Sequence, residues 1–170
     1  MYKKPKKSWK DNIIYIACFV VLFVIDQISK KYFIDYYENN PNTSFFVTSF
    51  LNFEYVWNQG ISFGFFSDWE YSNLVFIVIA SLIAWYFISL FNKEHNKSMK
   101  YSYIFIIGGA AGNIVDRIRY GAVYDFIDFH IFDYHWPAFN FADTYITVGG
   151  FLLLTNLFSS KVKKNEKNKI

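Results

Sequence analysis

The segment LVFIVIASLIAWYFISLF, Leu74 to Phe91, decides the fold class of this chain. It has no charged residue, and as a helix rising about 1.5 Å per residue it crosses most of a hydrocarbon layer roughly 30 Å thick. Because no water is available there to satisfy an open backbone, a segment of this kind crosses a bilayer as a helix. The segment therefore predicts an integral membrane protein.

The composition of the whole chain agrees with that prediction. Aromatic residues make up 24% of the 170 residues and charged residues only 18%, more apolar side-chain area than a soluble domain of this size buries easily. The net charge of +3 does not indicate nucleic-acid binding, because the basic residues cluster beside apolar segments. The single cysteine, Cys18, lies in an apolar run, so no disulfide framework within the chain is expected.

Four apolar segments are predicted to span the membrane as one domain covering residues 1–170. The first follows the basic sequence KKPKKSWK like the start of a signal peptide, but it has no small-residue cleavage site and continues as DQISKK. The third carries Gly108 and Gly112, and the fourth Gly149 and Gly150, which predicts close helix packing. The predicted spans are residues 11–29, 73–91, 101–118 and 142–160.

The basic residues predict the orientation of the bundle. Lysines precede the first span, lie between the second and third, and follow the fourth, so most of the 17 Lys and Arg residues fall on one side. Cytoplasmic segments carry such an excess. Both termini are therefore predicted to be cytoplasmic, with the connections 30–72 and 119–141 on the outer face.

The first outer connection has a pattern of its own. NNPNTS is a turn sequence, and SFFVTSFLNFEYVW after it is rich in aromatic and β-branched residues, which predicts a small sheet on the membrane. FGFFSDWEY, with Trp69 and Tyr71, predicts an interfacial helix at headgroup level. The predicted fold is thus an all-α membrane protein, a four-transmembrane-helix bundle with a small extracytoplasmic β-sheet cradle and an interfacial helix.

Polar side chains that are costly in a membrane gather at the outer ends of the predicted spans. Asn113, Asp116, Arg117 and Tyr120 recur at three- and four-residue intervals, so they share one helix face. Arg117 keeps its charge and needs an acceptor, and Asp116 or Asp26 would serve. For Asp116 we expect a structural salt bridge rather than catalysis.

Two other polar sites have structural interpretations. Asp26 and Lys30 are four residues apart on the first span, as expected of an interfacial pair that anchors the helix. Asn58 lies in the glycine-containing sequence WNQGISFGFF, where it serves either in a turn or as an amide that holds a peptide backbone. The sequence leaves both interpretations of Asn58 open.

Asp125 and Asp143 differ, because neither has a basic partner within helical reach. If VYDFIDF is extended, Asp125 faces an apolar side, while Asp128 points the other way with His130. Asp143 lies near the start of the fourth span, where the helix dipole favours a carboxylate. A capping acid is the structural alternative for Asp143.

Two carboxylates in one partly dry site share a proton. One then acts as base on a water molecule, while the other polarises a carbonyl and donates to the leaving amine. We assign the base to Asp143 and the acid to Asp125, although a coupled pair titrates as a unit. This chemistry needs no metal or cofactor, and His95, His130 and His135 lack the HExxH pattern or cysteine companions of a zinc site.

Four blocks of the sequence resemble, in order and spacing, those of the bacterial lipoprotein signal peptidases, the signal peptidase II family. The blocks are DQISK (26–30), NQGISFG (58–64), GGAAGNIVDRIRYGAVYDFID (108–128) and FNFAD (139–143). The resemblance implies an intramembrane aspartic endopeptidase of the inner membrane, sensitive to globomycin. Its substrates would be diacylglyceryl-modified prolipoproteins, cut before the lipid-modified cysteine. The family pattern departs at Ile61, Ser62, Ala111 and Tyr124, which affects the shape of the pocket rather than the reaction.

The resemblance also assigns residues and partners. It makes Asp125 and Asp143 the catalytic pair, and it implies contact with membrane lipids and a monomeric enzyme. The positions expected to shape or support the substrate pocket are Asp26, Lys30, Asn58, Gly60, Asn113, Arg117 and Asn140.

Two other functional classes were considered. A small proton-coupled transporter also uses membrane acids, but it places them near the midplane on broken helices within internal repeats, which this sequence does not display. A structural membrane subunit would leave Asp125 and Asp143 without a role.

Overall fold

The computed structural model describes residues 9–41, 43–60 and 71–167. In chain order the elements are α1 (Trp9–Asn39), β1 (Phe45–Thr48), β2 (Leu51–Asn58), α2 (Ser72–Lys93), α3 (Lys97–Tyr120), β3 (Val123–Ile131), β4 (Tyr134–His135) and α4 (Phe141–Lys167). The predicted interfacial helix at FGFFSDWEY lies outside the described residues except for Tyr71, which is in a turn.

Among the residues that the structure describes, three helices are long and apolar enough to cross a membrane. They are Asn12–Asn39, Ser72–Lys93 and Phe141–Ser160, and they overlap the first, second and fourth predicted spans. The first helix continues past residue 29, the end of the predicted span, because its last turns pack under the sheet through Phe33 and Ile34.

The helix α3, which overlaps the third predicted span, is not among these three apolar helices. It contacts α1, α2 and α4, and charged residues such as Lys100, Asp116 and Arg117 are buried on it. A helix surrounded by other helices packs through small and polar side chains rather than long apolar ones. Its low hydropathy therefore follows from its central position.

Glycines allow this central helix to approach its neighbours. A Cβ at Gly112 would collide with Oδ2 of Asp26 on α1, and one at Gly109 would collide with the carbonyl oxygen of Ala142 on α4. The predicted close packing is thus present at Gly112, while a Cβ at Gly108 would make an ordinary 3.4 Å contact with Leu22.

The four strands form one antiparallel sheet in the order β1-β2-β3-β4. The strands β1 and β2 confirm the sheet predicted in the first connection, and β3 adds the second connection to it. Gly121, with φ of 74°, ends α3 and turns the chain directly into β3. Phe126 of β3 stacks on Phe33 of α1 with ring centroids 4.7 Å apart. The sheet is therefore anchored on α1 and α3, and Asp125 lies on β3 close to this junction.

Candidate active site

Asp125 lies in the middle of β3, so the segment VYDFIDF is extended. Its side chain is almost fully buried. Oδ2 accepts a hydrogen bond from Asn58 Nδ2 at 2.9 Å, and Oδ1 accepts one from Asn140 Nδ2 at 2.6 Å. Two neutral amides therefore hold this carboxyl group.

Asp143 lies in the first turn of α4, where it takes part in a reciprocal cap. The backbone N–H of Asp143 donates to Asn140 Oδ1 at 3.0 Å, and the backbone N–H of Asn140 donates to Asp143 Oδ2 at 3.2 Å. This is the arrangement of a capping box, so the capping role considered for Asp143 is present. Capping occupies one oxygen, and the other, Oδ1, accepts from Asn113 Nδ2 at 2.8 Å.

Asn140 joins the surroundings of the two acids. It is fully buried, and besides Asp125 its Nδ2 reaches Asn113 Oδ1 at 3.2 Å. Just before it, Phe139 exchanges two backbone hydrogen bonds with Ile127 of β3, at 2.8 and 3.1 Å. This bridge fixes Asn140 between the strand that carries one acid and the helix that carries the other.

Behind this network lies a charged cluster centred on Lys30. The Nζ of Lys30 is 2.9 Å from Asp26 Oδ2 and 2.7 Å from Asp116 Oδ2, and it donates to Asn113 Oδ1 at 3.0 Å. Asp26 Oδ1 also accepts from the backbone N–H of Ala142 at 2.9 Å. The predicted Asp26–Lys30 pair exists, but it is buried and shared with Asp116 rather than interfacial. The structural salt bridge expected of Asp116 is confirmed.

The prediction that Asp116 or Asp26 accepts from Arg117 is wrong. Its Nη2 donates to the carbonyl oxygen of Gly60 at 2.8 Å, and Nη1 is 3.5 Å from Asn73 Oδ1. The guanidinium also lies over the Phe76 ring, 4.7 Å from its centroid. Lys30 already pairs with Asp26 and Asp116, and the arginine instead holds Gly60, just after β2, and the start of α2.

Asn58 takes the turn role of the two that its sequence left open, and its amide binds a carboxylate rather than a peptide backbone. Its Oδ1 accepts from the backbone N–H of Gly60 at 3.1 Å, as a turn residue does. Its Nδ2 meanwhile holds Asp125. The turn therefore fixes the orientation of the amide at the acid.

The environment of Asp125 favours its protonated form. Burial raises the pKa of Asp125 to about 7, and the nearby charge of Asp143 acts in the same direction. The hydrogen bonds from Asn58 and Asn140 oppose the shift and only partly offset it. A proton therefore stays on Asp125 up to neutral pH.

Asp125 and Asp143 both open onto one cavity of ≈ 870 Å³ between α2, α3 and α4. The predicted site residues Asn58, Gly60, Asn113 and Arg117 line it as well. On the α2 side its wall is apolar, formed by side chains such as Phe76, Ile79 and Ile83. Such a space, apolar along one side with convergent polar groups at one end, is typical of a ligand site.

Three predicted site residues, Asp26, Lys30 and Asn140, do not line this cavity. They are buried behind its wall and support the residues that do. Their part in a binding site is therefore indirect, through Asn113 and Asp125.

Sequence reasoning missed two supporting residues. Gln27 Nε2 donates to Asp116 Oδ1 at 3.0 Å, and Asn73 Nδ2 donates to the carbonyl oxygen of Arg117 at 3.1 Å. Gln27 carried a signal, since it is a polar residue directly after Asp26 at the end of an apolar run. Asn73 carried no such signal, because polar residues are common where a membrane span begins.

Comparisons with known proteins identify relatives along most of the chain. The family model for signal peptidase (SPase) II matches residues 18–159. The lipoprotein signal peptidase of Rickettsia felis is 43% identical over 151 residues, covering 88% of this chain and 77% of the relative. That of Anaplasma marginale is 43% identical over 155 residues, covering 89% of each chain.

Solved structures agree in fold. A bacterial membrane enzyme determined by the in meso method matches with a TM-score of 0.76 and 30% identity, over 89% of this chain and 91% of that one. A second such structure matches with a TM-score of 0.70 at the same identity.

Proposed function

The chain belongs to the signal peptidase II family, and we propose that it hydrolyses its substrate as an aspartic endopeptidase with Asp125 and Asp143 as the catalytic pair. As a lipoprotein signal peptidase it is a bacterial membrane protease that removes signal peptides from prolipoproteins. A proton-coupled transporter, the alternative considered from the sequence, has no support among these relatives. Aspartic catalysis, and the roles of Asp125 and Asp143 in it, are our proposal.

One observation carries the proposal. The Asn140 side chain donates to Asp125 Oδ1 at 2.6 Å while its own Oδ1 accepts the backbone N–H of Asp143. A single buried amide thus ties both acids to the edge of one cavity. Paired carboxylates beside a space for a peptide are the requirement of aspartic protease chemistry.

The local charge balance supports a shared proton. The buried carboxylates Asp26 and Asp116 share Lys30, while Asp125 and Asp143 are held by amides. Two neighbouring carboxylates without a cation of their own cannot both ionise cheaply. One proton therefore resides on the pair, and the raised pKa of Asp125, about 7, assigns it to Asp125 in the free enzyme.

The proposed reaction uses the two groups in turn. The Asp143 carboxylate takes a proton from a water molecule, whose oxygen adds to the scissile carbonyl carbon. Asp125 donates its proton to the carbonyl oxygen, which gives a neutral tetrahedral intermediate. As this intermediate collapses, the C–N bond breaks and a hydroxyl proton returns to Asp125. Because Asp125 has already given its proton to the carbonyl oxygen, the amine takes the proton held by Asp143 rather than the Asp125 proton expected from the sequence.

The cavity fits the substrate that the family implies. Its apolar wall on α2 suits a signal-peptide helix, and the acids lie at the end where β3 and the cradle begin. We propose that the substrate carries a diacylglyceryl group and is cut before the modified cysteine. Membrane lipid then surrounds the lipid chains, and a monomer contains every residue that the reaction uses.

The proposed topology has four spans. The helix α3 has 24 residues, about 36 Å at 1.5 Å per residue, which is enough to cross the hydrocarbon layer. With α3 included, both termini lie in the cytoplasm and the sheet lies on the outer face, as the lysine distribution predicts.

The test is a cleavage assay on a diacylglyceryl-modified prolipoprotein with purified enzyme in nanodiscs. We expect Asp125→Asn and Asp143→Asn each to lower the rate about 10²- to 10⁴-fold, while Asp35→Asn, an exposed acid on α1, cleaves like the wild type. A prolipoprotein without the lipid should be cut poorly, and globomycin should inhibit.

Cleavage at the wild-type rate by a folded Asp125→Asn or Asp143→Asn variant would refute the catalytic pair. Loss of cleavage in enzyme stripped by a chelator, with folding retained, would instead indicate metal-assisted hydrolysis.

A further inference from the structure

A second cluster of side chains lies on the outer sheet, away from the proposed catalytic pair. Asp128, His130 and His135 each present one ligand atom, and these atoms all lie within 4.8 Å of one another. We propose that these three residues form a binding site for a divalent transition metal, of which Zn²⁺ is the representative ion. This site goes beyond the peptidase function and does not rest on it.

The strand geometry explains why the three residues meet. Asp128 and His130 are two residues apart on β3, so they share one face of the strand. His135 on β4 is the direct cross-strand partner of His130. The short turn at 132–133 therefore brings both imidazoles to the face that carries the carboxylate.

The distances suit a single ion. Asp128 Oδ2 is 3.3 Å from His130 Nδ1, and Asp128 Oδ1 is 2.8 Å from His135 Nδ1. Zinc bonds of about 2.0 to 2.1 Å place tetrahedral ligands roughly 3.3 Å apart. The imidazole rings lie nearly parallel with centroids 5.0 Å apart, so small side-chain rotations direct both Nδ1 atoms at one point beside the carboxylate.

Two buried polar atoms at the cluster, His130 Nδ1 and Asn52 Oδ1, form no hydrogen bond within the described ranges. The histidine nitrogen lies 3.3 Å from Asp128 Oδ2 as an ion-pair contact. Asn52 on β2 is the cross-strand partner of Asp128, so its side chain lies on the same face of the sheet. Buried groups without partners are uncommon and costly. A metal ion would satisfy the histidine nitrogen directly, and the amide oxygen directly or through a metal-bound water.

The donor set indicates the class of ion. Two imidazoles and a carboxylate suit Zn²⁺, Cu²⁺ or Ni²⁺, whereas Mg²⁺ and Ca²⁺ prefer oxygen ligands alone. Three protein ligands leave one position open for water.

The site is separate from the proposed catalytic pair. Asp125 occupies the alternate register of β3, so its side chain points to the other face from Asp128 and His130. The ion would clamp β4 to β3 and hold the hairpin beside β2. We therefore expect it to stabilise the outer sheet without entering the hydrolytic step.

The sequence pattern was informative here only in part. His130 and His135 alone do not predict a zinc site, because neither HExxH nor companion cysteines are present in the sequence. Asp128 had been predicted to share a face with His130, but pairing with His135 depends on the hairpin register, which the sequence did not define.

The test uses full-length enzyme purified with a tag that contains no histidine and stripped with a chelator. Zn²⁺ alone is titrated by calorimetry into the wild type, His135→Gln and the matched control His95→Gln, whose histidine is exposed in the loop between α2 and α3. We expect one Zn²⁺ per wild-type chain and a similar affinity for His95→Gln. His135→Gln should bind at least about tenfold more weakly.

Thermal unfolding provides a second readout that does not depend on the heat of binding. Zn²⁺ should raise the Tm of the wild type and of His95→Gln, with little effect on His135→Gln. His130→Gln should behave like His135→Gln. Absence of saturable Zn²⁺ binding by the wild type, or equal binding by His135→Gln, would overturn the site. Neither result would touch the peptidase proposal, which the Asp125 and Asp143 variants test separately.

Discussion

Two pairs of carboxylates occupy neighbouring parts of this molecule, all buried except the half-buried Asp143, and their environments differ. Asp26 and Asp116 both contact the ammonium group of Lys30, at 2.9 and 2.7 Å. Asp125 and Asp143 instead accept hydrogen bonds from the amides of Asn58, Asn113 and Asn140. The first pair shares one cation, and the second is solvated by neutral donors.

The difference shows how a membrane protein separates structure from chemistry with the same side chain. A carboxylate paired with a buried cation keeps a fixed charge and a fixed position. One held by amides can gain or lose a proton without breaking an ion pair. We therefore assign Asp26 and Asp116 to the architecture, and Asp125 and Asp143 to proton transfer.

Lys30→Met should produce the largest loss of stability, because it removes the cation from the first pair. It leaves Asp26 and Asp116 buried without their partner, and breaking a buried pair in this way costs about 3–5 kcal/mol. The adjacent Lys31 is the matched control, since its pair with Asp35 is exposed. Lys31→Met should change stability little.

Thermal unfolding in detergent, followed by circular dichroism, compares the two lysine variants. Equal changes in Tm would mean that Lys30 stabilises Asp26 and Asp116 no more than Lys31 stabilises the exposed Asp35. The structural role assigned to the first carboxylate pair would then be wrong.

Asn140→Ala should have the next largest effect, this time on the second pair. The variant loses the donor to Asp125 and the cap of α4, and small misplacements of catalytic groups reduce rates by up to about 10²-fold. Loss of the cap alone costs about 1 kcal/mol. We expect kcat to fall about 10- to 100-fold with a modest decrease in Tm.

Asn156→Ala is the control for Asn140→Ala, because Asn156 lies on the same helix and its amide donates to the carbonyl oxygen of Leu152, at 2.7 Å, one turn earlier on that helix. Its cleavage rate should stay near that of the wild type. A folded Asn140→Ala enzyme as active as Asn156→Ala would show that the amide bridge does not position the acids.

Gly112→Ala should lower stability by a smaller amount, and it tests how firmly Asp26 of the first pair is held. Its added methyl group would collide with Asp26 Oδ2, which Lys30 and Ala142 hold in place. Overpacking of this kind costs about 1–3 kcal/mol. Gly150→Ala meets no atom within 4 Å and should leave stability unchanged or raise it by up to about 1 kcal/mol.

The Tm values of the two glycine variants, measured side by side, decide this prediction. A Gly112→Ala protein as stable as Gly150→Ala would mean that Asp26 is free to move.

The sequence predicted the elements whose environment is uniform. The lipid-facing helix α2 follows from hydropathy alone, and the strands β1 and β2 follow from the aromatic and β-branched residues of the first connection. It did not predict that α1 continues to Asn39, because that extension depends on packing of Phe33 against the distant Phe126.

Partner choice within the candidate site was harder to predict. From the sequence, either Lys30 or Arg117 could form an ion pair with Asp116. Lys30 forms it because α1 approaches α3 closely at Gly112. The bridging role of Asn140 likewise requires three elements to meet. Local patterns named the polar residues, and tertiary contacts determined what each one binds.

The pH dependence of kcat/KM tests the shared proton most directly, since kcat/KM reports the ionisation of the free enzyme. Because burial raises the pKa of Asp125 to about 7, its proton is present below that pH and is lost above it. We predict that kcat/KM falls as pH rises through 7, and that the decrease approaches about tenfold per pH unit at higher pH. A value of kcat/KM that stays constant or increases from about pH 6 to about pH 9 would contradict a proton shared by Asp125 and Asp143.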